Sequence, residues 1–188
     1  MDQILELLHF LRADKFDYNI VSLVLDVESR NSSIELADRF WVLYFDGSKT
    51  QEGSGAGYIL MDPKNNKHFL SCRLEFECTN NTTEYETLIQ ELKKAIEFKV
   101  KILKVYGDSK IIVKQVRNTI HCLSPHLKGY QNKVWDLLMN FDAFNIVSIP
   151  RLKNVATDLL ATSVARLVPT NNKCSTELIF RSSVHELF

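Results

Sequence analysis

Four acidic residues stand where the sequence predicts a strand to end or a helix to begin, in segments that lie far apart in the chain. They are Asp46, Glu84, Asp108 and Asp158. In open α/β sheets, ligands bind at strand ends and at the starts of the helices that follow. Carboxylates gathered at such a place can bind a hard divalent cation, because these ions take oxygen ligands. Each acid alone also fits a turn or a helix cap, so the positions by themselves leave the function open.

The elements that must position these acids follow the order β-β-β-α-β-α-α-β-α. A buried strand over 41–45 ends at Asp46, and two more β-prone runs follow after short loops, which predicts an antiparallel meander. A fourth strand over 102–106 precedes Asp108, and a fifth covers 144–149. We therefore expect a five-stranded mixed sheet, with three antiparallel strands and then two parallel ones, and with helices packed on both faces.

Two of the acids fall on predicted helices. Capping residues precede the first helix, with Thr82 or Thr83 as the expected N-cap, so that Glu84 lies in the first turn, where the helix dipole favours an acid. The last amphipathic helix covers 154–167 and carries Asp158 one turn from its start.

Four motifs around the acids resemble those of the type-1 ribonuclease H family. They are, in order, Tyr44-Phe-Asp-Gly-Ser48, Cys78-Thr-Asn-Asn-Thr-Thr-Glu-Tyr-Glu86, Val105-Tyr-Gly-Asp-Ser109 and Pro150-Arg-Leu-Lys-Asn-Val-Ala-Thr-Asp-Leu-Leu-Ala161. The resemblance covers about residues 41–168. It is closest to the archaeal-like ribonuclease H domains in polyproteins of plant gypsy-class LTR retrotransposons, and it implies a ribonuclease H-like fold.

The resemblance implies an endonuclease that hydrolyses the RNA strand of RNA–DNA hybrids by two-metal-ion catalysis. The metal ligands would be Asp46, Glu84, Asp108 and Asp158, holding two Mg²⁺ ions, with Mn²⁺ as the alternative. Four acids packed together repel one another, so we expect the site to be less stable without metal. Glu86 is the alternative to Glu84, but it lies two residues further on and points elsewhere on the helix.

The resemblance also implies contacts to the nucleic acid. The residues concerned are Gly47, Ser48, Thr79, Asn80, Asn81 and Ser109. Residues 79–81 would hold a strand phosphate and the minor-groove edge of the hybrid, with a simple helix cap as the less favoured alternative. Many family members carry a catalytic His before the last helix. This chain has Arg151 there, which can hold a phosphate but is a poor general base because it stays protonated.

Two alternative functions would be expected to show a different order of the acidic residues or the loss of some of them. Integrases and transposases place their Glu last, and proofreading exonucleases carry Asp-x-Glu on the first strand, whereas this chain has the order Asp, Glu, Asp, Asp. A catalytically inactive ribonuclease H-like module that binds or tethers nucleic acid is the second alternative. The presence of all four carboxylates disfavours it.

Composition and charge divide the chain into three parts. Residues 1–40 hold four Lys/Arg and eight Asp/Glu, and we interpret them as an acidic tether or linker remnant. Residues 41–168 form the expected catalytic domain, with a net charge of +4, and residues 169–188 are expected to be a flexible tail. Reverse transcriptase and integrase of the same polyprotein are the expected partners besides the RNA–DNA hybrid.

The composition is that of an ordinary globular protein, with 45% hydrophobic and 24% charged residues among 188. No run approaches the roughly 18 apolar residues that a membrane helix needs, and the N-terminus lacks the basic region of a secretory signal. The four cysteines show no CxxC spacing and suit a reducing compartment. We therefore expect an intracellular monomer, cytoplasmic or nuclear, without membrane contact.

Overall fold

The computed structural model describes residues 40–166 and 177–184. The strands are β1 (Phe40–Lys49), β2 (Ser54–Met61), β3 (Lys67–Leu74), β4 (Ile102–Gly107), β5 (Ala143–Ser148) and β6 (Glu177–Ile179). The helices are α1 (Asn80–Glu97), α2 (Lys110–Val116), α3 (Pro125–Leu138) and α4 (Val155–Ala165), with a 3₁₀ turn at Arg151–Lys153.

All six strands belong to one mixed sheet in the order β5-β4-β1-β2-β3-β6. The meander β1-β2-β3 is antiparallel, whereas β4 and β5 run parallel to β1. The predicted mixed sheet is thus confirmed. Among residues 40–166 and 177–184 this sheet has six strands rather than five.

Helices cover both faces of the sheet. Side chains alternate along β1, and its buried residues Leu43 and Phe45 belong to a core shared with α1, α2 and α3. On the opposite face, Ser48 accepts a hydrogen bond from Thr162 of α4. Gly55 lies so close to α4 that a Cβ there would come within 2.3 Å of the Ala161 carbonyl oxygen. The absence of a side chain at Gly55 therefore lets α4 pack directly on the sheet.

The sixth strand corrects the expectation of a loose C-terminal tail over 169–188. Residues Glu177–Ile179 pair in parallel with β3, and the backbone N–H of Glu75 donates to the Ile179 carbonyl at 2.8 Å. An exposed edge strand offers a row of unpaired backbone groups, and this short segment fills part of that row. A strand of three residues is too short to show a periodicity, which is why the sequence pattern missed it. The rest of the tail lies outside the described residues.

Helix α1 begins one turn earlier than expected. Its N-cap is Thr79 rather than Thr82 or Thr83, because the Thr79 hydroxyl accepts from the Thr82 backbone N–H while the Thr82 hydroxyl accepts from that of Thr79. Glu84 consequently lies in the second turn of the helix and not in the first.

Two further expectations concern the N-terminal segment and contact with a membrane. Apart from Phe40, the acidic segment predicted over 1–40 lies outside the described residues, and its role as a tether remains a prediction. Within the described residues, no helix is both long enough and apolar enough to cross a membrane.

Candidate active site

The site is built on the two central parallel strands. In the register of β1 and β4, Phe45 lies opposite Gly107, so that Asp46 and Asp108 follow side by side where the pairing of these strands ends. Both aspartates are therefore directed to the same edge of the sheet, where ligands bind in open α/β sheets. Asp46 is still part of β1, which continues to Lys49, and is not in a turn after it.

Glu84 joins these aspartates because α1 approaches β1 closely at Gly47. A Cβ at position 47 would lie 2.9 Å from the Thr87 hydroxyl oxygen and 3.0 Å from the Glu84 backbone nitrogen. The Gly47 backbone N–H also hydrogen-bonds the Glu84 carboxylate. Gly47 thus has a packing reason for being a glycine, separate from the predicted contact with nucleic acid.

Asp158 lies beside this group rather than within it. It lies near enough to Asp46 to help raise the pKa of that carboxyl, and its Oδ1 accepts from Arg151 Nη2 at 3.0 Å. The Nε of Arg151 lies 4.0 Å from Asp108 Oδ2. Arg151 extends over the acids from the 3₁₀ turn, and its side chain remains 76% exposed, so its guanidinium is open to a ligand in solvent.

The start of α4 is attached to β1 through the buried residue Asn154. In the sequence, Asn154 stands out only as part of the fourth motif. Its side-chain amide donates a hydrogen bond to the backbone of β1, and the Thr157 hydroxyl donates to the Asn154 backbone carbonyl at 2.8 Å. Because Asp158 follows one residue later, these contacts determine where its carboxylate lies. The spacing of Asn154 from Asp158 was a signal for this role, but the strand it contacts was not evident from the sequence.

The electrostatics of the cluster favour protonation when no cation is present. Burial, together with the charges of Glu84 and Asp108, raises the pKa of Asp46 to about 9. Burial and the charge of Asp108 raise the pKa of Glu84 to about 8, although the Gly47 amide and Arg151 oppose this shift. Carboxyl groups with such a raised pKa keep their protons at neutral pH. This means that the site, without a cation, offers too little positive charge to stabilise their ionised forms.

The acids have the arrangement that a divalent cation needs. One carboxylate oxygen from each of Asp46, Glu84 and Asp108 lies within 4.8 Å of the other two. The second oxygen of Glu84, Oε2, is buried and has no hydrogen-bond partner in the described part of the chain. An unpartnered buried carboxylate oxygen is costly without a cation. This donor set is oxygen-only, which suits hard ions such as Mg²⁺, Mn²⁺ or Ca²⁺.

The residues predicted to contact nucleic acid lie around the acids with varied exposure. Thr79 and Asn80 are exposed at the start of α1, and Asn81 is half-buried. Ser48 is half-buried and bonded to Thr162. Ser109 occupies the N-cap position of α2 without making a capping hydrogen bond. Residues 79–81 thus begin the helix that carries Glu84 and remain open to solvent, and their predicted contacts stay predictions.

Comparisons with known proteins agree with this geometry. A family described as reverse transcriptase-like matches residues 44–164. A ribonuclease HI of Halobacterium salinarum is 31% identical over 120 residues, which are 63% of this chain and 60% of that protein. The crystal structure of RNase H1 from the same archaeon has a TM-score of 0.63 at 26% identity, and the match covers 66% of this chain and 96% of that one. LC11 RNase H1, solved in complex with an RNA/DNA hybrid, has a TM-score of 0.61 at 30% identity, with coverage of 66% and 96%.

Proposed function

We propose, since this chain belongs to the reverse transcriptase-like family of ribonuclease H domains, that it hydrolyses the RNA strand of RNA–DNA hybrids endonucleolytically. The predicted type-1 ribonuclease H family is confirmed, whereas the link to plant gypsy-class elements remains a prediction. The observation that carries the proposal is the convergence of Asp46, Glu84 and Asp108 at one sheet edge, with Asp158 beside them.

The four acids are the proposed ligands of two divalent cations, with Mg²⁺ as the first choice and Mn²⁺ as the alternative. Bound cations would supply a nucleophile at neutral pH and would offset negative charge on the departing oxygen. The protein holds the ligands in place from separate elements, with Asp46 and Asp108 on strands, Glu84 on α1 and Asp158 on α4. Burial of Asp46 limits its access to water, which strengthens its interaction with a cation.

The residues around the acids have proposed roles in binding the hybrid. Thr79, Asn80 and Asn81 stand at the solvent-open start of α1, where short polar side chains and backbone groups can reach a wide minor groove and its 2′-hydroxyls. Arg151 overhangs the acids and carries a permanent charge, so its proposed role is to attract the scissile phosphate or the departing product.

We further propose that the domain derives from a retrotransposon and works beside a reverse transcriptase. The description of the matching family as reverse transcriptase-like supports this origin. LC11 RNase H1, solved with an RNA/DNA hybrid, supports the hybrid as the substrate class.

The test is to incubate the protein with an RNA–DNA hybrid labelled on either strand, and with each strand alone, with Mg²⁺, Mn²⁺ or EDTA. We expect internal cuts in the RNA strand of the hybrid only, and only with a divalent cation. Metal-independent cutting, or equal cutting of DNA, would contradict the proposal. Hybrid binding without cutting in any metal would instead indicate the inactive binding module.

A further inference from the structure

The C-terminal segment Phe180–Val184 lies against the outer side of α1, and a buried glutamate of that helix accepts hydrogen bonds from it. Glu86 is fully buried, and its Oε1 accepts hydrogen bonds from the backbone N–H of Ser183 at 2.5 Å and from the hydroxyl of Ser182 at 3.0 Å. The Oε2 of Glu86 accepts from Gln90 Nε2 at 3.3 Å. Within the described part of the chain no ion pair reaches Glu86, so these neutral donors are what compensate its burial.

The contact extends along one stripe of α1. Residues 86, 90 and 93 are separated by four and three positions, so their side chains lie on the same side of the helix. Gln90 Nε2 and Lys93 Nζ both donate to the Ser183 hydroxyl, at 3.1 and 3.2 Å. The segment therefore packs on α1 over two helical turns.

The same segment also contacts α3. The hydroxyls of Tyr130 and Ser182 lie 2.7 Å apart, and a Cβ at Gly129 would come within 2.8 Å of Val184 Cγ1. Strand β6, directly before the segment, is paired with β3. Residues 180–184 are thus attached to the sheet edge and to two helices at once, and we call them the C-terminal clamp.

The side of α1 that faces the clamp lies opposite the side that carries Glu84. Glu84 reaches the cluster across a contact with Gly47 that leaves no room for a side chain. Because α1 packs this closely on β1, an outward shift of the helix would carry Glu84 away from Asp46 and Asp108. The clamp is bonded to the outer side of the helix through Glu86, where it opposes such a shift.

We propose that Glu86 is a positioning residue for the metal site: by binding the C-terminal clamp it holds α1 inward and so keeps Glu84 within reach of a cation shared with Asp46 and Asp108. This rests on the proposed function, because it assigns the acids to a metal. The hydrogen bonds of Glu86 to other described residues go to Gln90, Ser182 and Ser183 and to none of the four acids, so it acts through the helix.

The test uses the full chain and two measurements that do not need catalysis. Hydrogen–deuterium exchange reports the attachment of the clamp, and the Mg²⁺ concentration for half-maximal thermal stabilisation reports the metal site. In Glu86→Ala we expect exchange over 180–184 to rise at least tenfold and the half-maximal Mg²⁺ concentration to rise roughly tenfold, the lower end of the losses seen for residues that support metal ligands.

Three further variants separate positioning from general stability. Glu86→Gln keeps an oxygen that can accept from Ser182 and Ser183, so it should return the Mg²⁺ requirement to within about threefold of wild type. Ser182→Ala removes one bond to Glu86 and one to Tyr130, and it should give an intermediate shift even if Glu86→Ala fails to fold. Glu97→Ala, on the exposed end of the same helix, should change neither measurement.

Several results would overturn the proposal. These are a clamp released in Glu86→Ala or Ser182→Ala with an unchanged Mg²⁺ requirement, a clamp that stays protected in both variants, or equal shifts in Glu86→Ala and Glu86→Gln. Failure of the wild-type protein to cut hybrids, with Mg²⁺ still stabilising it, would count against the proposed function and leave this measurement intact. Absence of any Mg²⁺ effect on the wild type would overturn the metal site and this proposal together.

Discussion

The side-chain amide of Asn154 donates a buried hydrogen bond of 2.8 Å to the backbone carbonyl of Phe45. Phe45 immediately precedes Asp46 in β1, and Asn154 immediately precedes α4, which carries Asp158. One hydrogen bond between residues 109 positions apart therefore links the elements that carry two of the four acids.

Asn154→Ala is expected to destabilise the protein by about 1–3 kcal/mol, because it leaves the buried Phe45 carbonyl without its partner. Asn154→Asp should cost more, since a carboxylate oxygen would then face that carbonyl. Urea unfolding measures both changes. Asn140→Ala is the matched control, because its amide bonds are exposed, and its effect should stay within about 0.5 kcal/mol. Equal losses in the Asn154→Ala and Asn140→Ala variants would show that the link to β1 is unimportant.

Asp46→Asn should abolish cutting and yet raise the melting temperature in EDTA. Above pH 3.8 the folded protein must either bind a proton at Asp46 or hold its charge among the other acids, and a neutral amide avoids both costs. We expect at least about 1.4 kcal/mol of added stability at pH 8, the free energy of one pKa unit. Calorimetry in EDTA and the hybrid cleavage assay test the two halves. A variant that melts lower and cuts normally would make Asp46 a structural residue.

The stability of the metal-free protein should fall as pH rises from about 4 to about 9. Asp46 has its ordinary pKa of 3.8 in the unfolded chain and about 9 in the folded one, so the folded state binds more protons throughout this range. This contribution is complete below pH 3.8 and is lost as pH approaches 9. Melting temperatures in EDTA at pH 5 and pH 8 should therefore differ more for the wild type than for Asp46→Asn. Parallel pH profiles for the two proteins would contradict this origin.

Arg151→Ala should lower the cleavage rate at least tenfold, about 1.4 kcal/mol of barrier, with little change in stability because its ion pairs are exposed. Arg151→Lys should retain much of the rate if a positive charge is what the site needs. Lys153→Ala, two residues along the same 3₁₀ turn, is the control and should cost much less. Small and equal losses for Arg151→Ala and Lys153→Ala would mean diffuse attraction, and Arg151 would then have no place in the site.

Glu91→Leu should stabilise the protein by about 1–3 kcal/mol at neutral pH. Glu91 is fully buried on α1, and neither carboxylate oxygen has a hydrogen-bond partner among the described residues. Burial raises its pKa well above 4.5, so the gain should grow as pH rises above that value. Urea unfolding at pH 5 and pH 8 measures it, with the exposed Glu97→Leu as the control. No gain from Glu91→Leu would mean that the carboxyl group makes a favourable contact in solution.

Local patterns in the sequence were sufficient to predict the elements and the acids. Alternating and helical periodicities depend on which side of an element is buried, so they predicted five strands and the helices between them. The positions of Asp46 and Asp108 after apolar runs predicted that each lies at the end of a strand, and the family resemblance implied that they share a metal site. The parallel pairing of β1 with β4 then brings them side by side. The motif spacing separated Glu84 from Glu86, two positions that lie on different sides of one helix.

The tertiary structure alone decided which distant residues meet. Three contacts join positions about 90 to 110 residues apart. They are the pairing of β6 with β3, the hydrogen bond between Asn154 and Phe45, and the hydrogen bond from Ser183 to Glu86. No periodicity records such a contact, because each partner satisfies its local pattern equally well in other surroundings. The protonation of the acids also depends on the fold, since burial and mutual repulsion arise only when Asp46, Glu84 and Asp108 are brought together.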